Sequence, residues 1–522
     1  MPLFSSRQGN RPEEGGREPE DADQAPLPDE HTRLLPNRGD PRRRSLLAPD
    51  DPAVSPYNLW SIRALRYSTI GFTLVTLVWW ILLLVSMFAT PPGFQMRGSM
   101  FQSFGYANLT LANLLFTLMF FGVPAKAVRI LVMSMSAVLV LDMILILSVQ
   151  KTRYEEGWVG AVSVIWALFM SLWTLLVDHT VKWGKAEEEE RLTGRAETRR
   201  TLVEWMEVIA STMVWSIMCI ALFLVTLTII LRAVDAGVAP PGKLYWVDGD
   251  KYRVHVHCHG NKTEHKPTVL FEGGERTVEY SFWDFAENAL RNESFPRYCF
   301  TDRPGFGWSD TSPSPSSAGF VVDILSEALA NAGENGPWVL ASAGIGSIYS
   351  RVFSARHGDA IKGLVLIDPL HEDLLAKVGR PGTGFLLWLR GAISPLGLDR
   401  VPGAIFRGRT SRDRVYGRSA YQGGKYILAK LQENWVAAST TRRDAQTSRA
   451  IQDKQTPLVV ISSGKHIKAS RQWEEKQRDL TKLTEKLRSW DIVDGAPHKV
   501  WSTFEGREKI EKRLKELVHA RS

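Results

Sequence analysis

The segment WVLASAGIGSIYSRVFSARHGDAIKGLVLIDP, residues 338–369, decides the reading of this chain. Its two ends are apolar runs of strand length, and its middle has a helical pattern. The first run enters a tight turn, Ser342-Ala343-Gly344-Ile345-Gly346-Ser347, whose glycines permit a sharp reversal into the helix. Strands that are apolar throughout, rather than alternating, are buried on both faces, as in a parallel sheet.

The same rhythm continues on both sides. YRVHVHC, TVLFEGG and YCFTDR upstream read as strands, as do LVVISS and WDIVDGAPH downstream. Helical stretches separate most of them. That alternation predicts a mostly parallel sheet covered by helices on both faces. Residues from about 370 to 455 break the rhythm. They are rich in Gly and Arg and predict an inserted helical cap.

The 44% hydrophobic content of the 522 residues is ordinary, but it is unevenly spread. Residues 1–55 are rich in Pro, Gly, Arg, Asp and Glu and predict a disordered cytosolic tail. Their opening lacks the apolar core of a signal peptide. Residues 56–236 hold five apolar runs, about 67–90, 104–124, 128–150, 158–179 and 207–231. Each is near the ~20 residues that cross a bilayer as a helix. The second is the weakest, interrupted by Asn108 and Asn113. After a hinge, DAGVAPPGK, residues 237–522 carry the strand-and-helix pattern.

The net charge of +8 does not come from a basic stripe with interleaved aromatics, which argues against nucleic acid as a partner. Lys and Arg instead gather before the first span, after the second and after the fourth, marking those segments as cytosolic. Five passes then place the C-terminal domain on the lumenal or extracellular side. Asp142 lies inside the third span. It is expected to bond a neighbouring helix, because no second intramembrane acid or base pairs with it to make an ion pathway.

Residues 243–517 resemble the α/β-hydrolase superfamily. DRPGFGWSD (302–310) is similar to the D-R-x-G-x-G-x-S turn after strand 4. VLFEGG (269–274) holds the place of the strand-3 loop, where such enzymes set an oxyanion-hole N–H. GLVLIDP looks like strand 6, and DGAPH presents His498 as the loop histidine. Active relatives carry the nucleophile on the turn after strand 5, as G-x-S-x-G. Val339, Leu340, Arg351 and Gly363-Leu364-Val365-Leu366 fix the register from both sides and put Gly344 in the nucleophile position.

Glycine offers no nucleophile. Ser342 belongs to the strand and Ser347 to the helix, so a displaced nucleophile at either must aim from the wrong element. The acid usually follows strand 7, but that loop reads SSGKHIKAS and has no carboxylate. Asp368, after strand 6, is the substitute that would orient His498. Glu272, with Gly273 and Gly274, forms the oxyanion-loop equivalent, and a carboxylate there would repel a developing oxyanion. His255, His257 and His259 share one strand face, but in this superfamily that strand is structural, and no metal site and no cofactor are expected. The resemblance also makes strands 2 and 4 neighbours, which would allow a Cys258–Cys299 disulfide in an oxidising compartment. Sequons at Asn261 and Asn292 agree with that side of the membrane. In the tail, Glu30 ahead of Leu34 and Leu35 resembles an acidic dileucine signal for sorting to the vacuole or lysosome.

The expected protein is a transmembrane helical bundle of about five spans followed by an α/β-hydrolase fold domain with a helical cap. It resembles uncharacterised fungal integral membrane proteins of that build. Its expected role is non-catalytic, binding a lipid-like or small ligand or a protein partner. Its place is the endomembrane system, with the vacuolar membrane favoured over the plasma membrane. Two alternatives stand beside it: an active membrane-bound serine esterase or lipase, and a transporter-like bundle with an accessory domain.

Overall fold

The computed structural model describes residues 56–94, 97–193, 200–263 and 266–520. Five helices come first: α1 (Trp60–Ser86), α2 (Met100–Met119), α3 (Lys126–Ser148), α4 (Gln150–Thr193) and α5 (Leu202–Asp235). All but α2 are long and apolar enough to cross a membrane. Their outward faces expose Leu74, Val78, Ile144 and Phe223. Exposed apolar area on this scale marks a surface that meets something other than water.

The weak second span is α2, which starts earlier and ends earlier than its apolar run suggests. Its low hydropathy comes from buried polar residues that face the other helices. Asn113 Nδ2 donates to Thr174 Oγ1 at 2.8 Å, and Trp215 Nε1 donates to Asn113 Oδ1 at 3.2 Å. The Tyr106 hydroxyl donates to Asp142 Oδ2 at 2.9 Å, with both residues buried. A polar group buried without a partner costs on the order of 1–3 kcal/mol, and these contacts avoid that cost.

Ion pairs fix the two ends of the bundle. Arg129 meets Asp178 at 2.5 Å and Lys185 meets Glu204 at 2.6 Å at one end. Asn58 Nδ2 donates to Glu188 at the same end. At the other end α4 breaks at Gly157 (φ 57°, ψ −156°), and Arg232 grips Glu155 and Glu156, each at 2.7 Å. The C-terminal domain sits at this second end. The start of α1 and that domain therefore lie at opposite ends of the bundle.

The domain is built on eight strands: β1 (Lys243–Val247), β2 (Tyr252–Gly260), β3 (Thr268–Glu272), β4 (Arg297–Thr301), β5 (Trp338–Ala343), β6 (Ile361–Ile367), β7 (Leu458–Ser463) and β8 (Leu487–Val493). They lie in the order β1-β2-β4-β3-β5-β6-β7-β8, and only β2 runs against the rest. This is the strand order of the α/β-hydrolase fold. β3, β5 and β7 are buried along their whole length, as their continuous apolar sequence requires. β1 was not legible as a strand. It is a short, partly exposed edge strand that directly follows the Pro/Gly hinge.

Helices α6 (Val278–Arg291), α7 (Ala318–Asn331) and α8 (Gly346–Arg356) connect the strands. The segment between β6 and β7 is the helical insertion. It contains α9 (Leu375–Val378), α10 (Pro381–Ile393), α11 (Arg400–Phe406), α12 (Ser411–Val415), α13 (Gly424–Val436) and α14 (Arg442–Ile451). After β7 come α15 (Gly464–Ala469) and α16 (Arg471–Leu480), and α17 (Phe504–Val518) closes the chain. The cap lies between the sheet and the bundle. Leu428 and Leu431 of α13 share one core with Met87, Phe101 and Phe104 of the membrane-helix region.

Candidate functional site: the glycine elbow

β5 ends at Ala343 and α8 begins at Gly346, so the turn between them is Gly344-Ile345. Gly344 has φ +50°, a left-handed conformation that glycine adopts without a Cβ penalty. The loop after β3 crosses this turn closely. A Cβ on Gly346 would collide with the Gly273 carbonyl, so the third glycine of the motif permits the approach.

His498 follows β8 and reaches the turn from the far side. Its Nδ1 lies 2.6 Å from Asp368 Oδ2. Asp368 directly follows β6, is fully buried, and holds φ +40°, a strained value for a residue with a Cβ. Its other oxygen accepts from Ser463 N at 3.1 Å and from Trp473 Nε1 at 2.9 Å. His466 Nδ1 also reaches Oδ2, at 2.9 Å. The imidazoles of His466 and His498 stack at 5.2 Å. The sequence had left His466 without a role; here it stands in the loop where the acid was sought, and it serves the acid that β6 supplies.

The second nitrogen of His498 is also occupied. Nε2 lies 3.1 Å from Glu275 Oε2. Glu275 Oε1 accepts from the Ile345 N–H at 3.4 Å. A Cβ on Gly344 would fall 2.5 Å from Glu275 Oε1 and 2.9 Å from His498 Nε2. The Glu275 carboxylate therefore fills the space above the turn where a nucleophilic oxygen would sit. It also takes the N–H of the residue after the nucleophile position, a donor that stabilises an oxyanion in active relatives.

Electrostatics lock this arrangement. Burial disfavours a charged His498, but its hydrogen bonds to Asp368 and Glu275, together with their charges, raise its pKa to about 10. Partial burial pushes Glu275 upward, yet the His498 hydrogen bond and charge prevail and hold it at about 2. At neutral pH an imidazolium is clamped between two carboxylates. Both ring nitrogens of this histidine are engaged by carboxylates.

Sequence reasoning assigned the repelling carboxylate to Glu272. The geometry moves that role to Glu275. Glu272 ends β3, buried, with Oε1 3.0 Å from Arg303 Nε. Burial outweighs the arginine and raises its pKa to about 8. Arg303 continues to Glu433 of α13 at 3.0 Å, and its NH2 donates to the Gly274 carbonyl, so Arg303 ties the cap to the β3 loop. Glu275 gave no signal of its own, because a charged residue after Gly-Gly reads as a solvated loop position.

Ser342 lies buried in β5. Ser347 is buried at the start of α8, and its hydroxyl donates to the Gly344 carbonyl at 2.7 Å. The three histidines of β2 do not converge on one point. His255 meets Asp302 at 3.0 Å, and His259 meets Glu287 at 2.8 Å. Among the described residues three groups are close enough to hold an ion: one is Cys258 and Cys299 with Glu334, and the two that contain histidine are Asp368 with His466 and His498, and His255 with Glu279 and Asp302. In both, a histidine nitrogen already bonds the carboxylate. Cys258 and Cys299 face each other across β2 and β4 and form a disulfide, while Cys219 is free. Asn261 and Asn292 are exposed, but Asn292 Nδ2 donates to Glu511 at 2.9 Å. Glu30, Leu34 and Leu35 lie outside the described residues.

Fold and site together define a membrane-associated protein with an α/β-hydrolase-like domain. Residues 30–258 match a region of unknown function, DUF2417. Over 501 residues the chain is 34% identical to an uncharacterized protein of Schizosaccharomyces pombe, covering 90% of this chain and 93% of that one. The chain belongs to the family of that fission-yeast protein. It is also 26% identical over 383 residues to an uncharacterized vacuolar membrane protein of Saccharomyces cerevisiae, covering 62% of this chain and 59% of that protein. Among solved structures, an α/β hydrolase enzyme from a Medee basin deep-sea metagenome library aligns with 54% of this chain and 98% of its own, at 13% identity and TM-score 0.40. A thermophilic esterase from Thermogutta terrifontis aligns with 53% and 100%, at 17% identity and TM-score 0.35.

Proposed function

We propose that this is a vacuolar membrane protein whose hydrolase-like domain faces the lumen and does not catalyse hydrolysis. The observation that carries this reading is the Glu275 carboxylate, placed over Gly344 and bonded to His498. It fills the nucleophile's space, occupies an oxyanion donor and keeps the histidine protonated. Glu275 is a poor carboxylate nucleophile for the same reason, since it sits inside the hole that an oxyanion would need. The vacuolar location rests on the budding-yeast relative and on the dileucine-like tail. The lumenal orientation rests on Arg63, Arg66, Lys126, Arg129, Lys182 and Lys185 at the end remote from the domain, and on the disulfide.

The domain's role in this reading is to bind a lipid-like ligand or a partner. The space that suits a ligand lies at the junction with the bundle. A cavity of about 380 Å³ opens there between Val149, Leu244 and Trp308 on its apolar walls and Lys151, Arg253 and Asp310 on its polar ones. Its size is within the ~300–1,000 Å³ of small-molecule sites, and its mixed lining suits an amphiphile. The test is fluorophosphonate labelling of the full-length protein in its native membranes. No specific labelling is expected. Labelling abolished by Ser342→Ala or Ser347→Ala would restore the serine esterase.

A further inference from the structure

The cap helices α10 and α11 expose a continuous apolar surface. Phe385, Leu386, Leu389, Leu398, Ile405 and Phe406 are 38–82% exposed, with Phe406 the highest. Five large apolar side chains on two short helices, with Leu398 between them, form more than the single scattered residues normal on a soluble surface. The position of these helices identifies what covers them.

The segment between them enters the bundle. Leu396 packs against the helix core that contains Leu222, Val225 and Ile229. Pro395 lies 3.7 Å from where a Cβ on Gly105 of α2 would stand. Gly397, at φ +62°, lies so close to Thr228 that a Cβ would strike its hydroxyl, and Gly391 of α10 meets the Phe101 ring in the same way. Trp388 contacts Phe104 at 6.2 Å. Thr228 precedes the end of α5 by seven residues, and Gly105 follows the start of α2 by five. At 1.5 Å per residue the cap loop sits roughly 7–10 Å inside the helix ends. The charges Glu155, Arg232 and Asp235 mark the polar level above it.

We infer that α10 and α11 are immersed in the lumen-side leaflet of the bilayer, beside α2 and α5, as a monotopic element of a polytopic protein. The loop that joins them lies at about the ~5–10 Å depth to which interfacial helices bury their apolar face, and α11 starts at the polar level, where Arg400 meets Asp235 at 2.5 Å. Exposed Arg380, Arg407 and Arg412 flank the patch, so the favoured bilayer carries anionic headgroups. α10 packs on α2 and the loop after it packs on α5, so the patch adjoins the membrane helices, which favours a bilayer over a protein as its occupant. The cap thereby holds the junction cavity at headgroup level. The immersion rests on the membrane helices and not on the loss of catalysis, while the side of the membrane rests on the lumenal orientation proposed above.

The test uses full-length protein carrying Cys219→Ser, reconstituted in nanodiscs of phosphatidylcholine with about one fifth phosphatidylserine. A polarity-sensitive nitrobenzoxadiazole probe is attached at Leu386→Cys, at Phe406→Cys, or at Lys512→Cys on α17, which packs on the sheet. Acyl-chain bromination of the lipid should quench the first two probes at least twofold and leave the third unchanged. Equal, weak quenching at all three positions would overturn the inference. So would quenching at positions 386 and 406 that appears only after a second protein is removed, because a partner would then be the occupant.

Discussion

Glu275 Oε2 lies 3.1 Å from His498 Nε2, on the side of the ring where a serine hydroxyl would otherwise stand. The other side of the ring keeps its acid, with Asp368 Oδ2 at 2.6 Å from Nδ1. The imidazole thus has a carboxylate on each side and joins three segments of the fold.

The ion pair makes stability depend on pH in a defined direction. His498 has a folded pKa of about 10, raised from 6.5, so its contribution is complete below about pH 6.5 and fades as pH rises through 10. Glu275 has a folded pKa of about 2, lowered from 4.5, so its contribution is complete above about pH 4.5 and fades as pH falls toward 2. Glu275→Gln should therefore lower the thermal midpoint most between about pH 4.5 and 6.5, the range of an acidic lumen. The gap to wild type should shrink toward pH 10. A gap that widens with rising pH would refute the ion pair.

Asp368→Asn should destabilise far more than Glu275→Gln. It removes the charge that faces two histidines and presents an NH₂ group to donors from Ser463 or Trp473. Breaking one partner of a buried pair costs about 3–5 kcal/mol. Thermal unfolding of the full chain in nanodiscs checks this, and a loss under about 1 kcal/mol would contradict the role assigned to Asp368.

The lumenal placement predicts an N-glycan at Asn261. Its sequon is exposed and follows β2. Asn292 is the poorer acceptor, because Asn292 and Ser294 both bond Glu511 and Ser294 is buried. A glycosidase should raise the mobility of wild type, and Asn261→Gln should remove most of that shift. Without reduction, a maleimide should modify Cys219 alone in denatured protein. No glycan and three reactive thiols would place the domain in the cytosol.

Sorting is tested in the tail. Leu34→Ala with Leu35→Ala should move a tagged chain from the vacuolar membrane to the cell surface. An unchanged location would remove Glu30, Leu34 and Leu35 from the account.

The sheet was legible because β3, β5, β6 and β7 are short, largely apolar runs set between helical stretches, unlike the longer apolar runs of the membrane helices. Gly344 was legible because strand and helix patterns on both sides left it no other register. Glu275 was not, because its role comes from a loop folding back over a turn some seventy residues away in sequence. Asp368 was legible as the carboxylate that would orient His498, but its other partners were not, because the four come from β7, α15, α16 and the loop after β8. In α2 the polar residues that weakened the membrane signal are those that hold it inside the bundle. The apolar face of α10 reads the same in sequence whether it covers a sheet or enters a bilayer.

The most direct measurement compares fluorophosphonate labelling of three proteins: wild type, Gly344→Ser, and Gly344→Ser with Glu275→Ala. A side chain at position 344 must compete with Glu275 for the same space and bears about 1–3 kcal/mol of backbone strain. With Glu275 gone, the new hydroxyl meets His498 Nε2, whose Nδ1 is already held by Asp368. The account predicts no labelling of wild type, little or none of the single variant, and clear labelling of the double variant. Equal labelling of the single and double variants would show that Glu275 does not close the site, and labelling of wild type would show that the nucleophile was never lost.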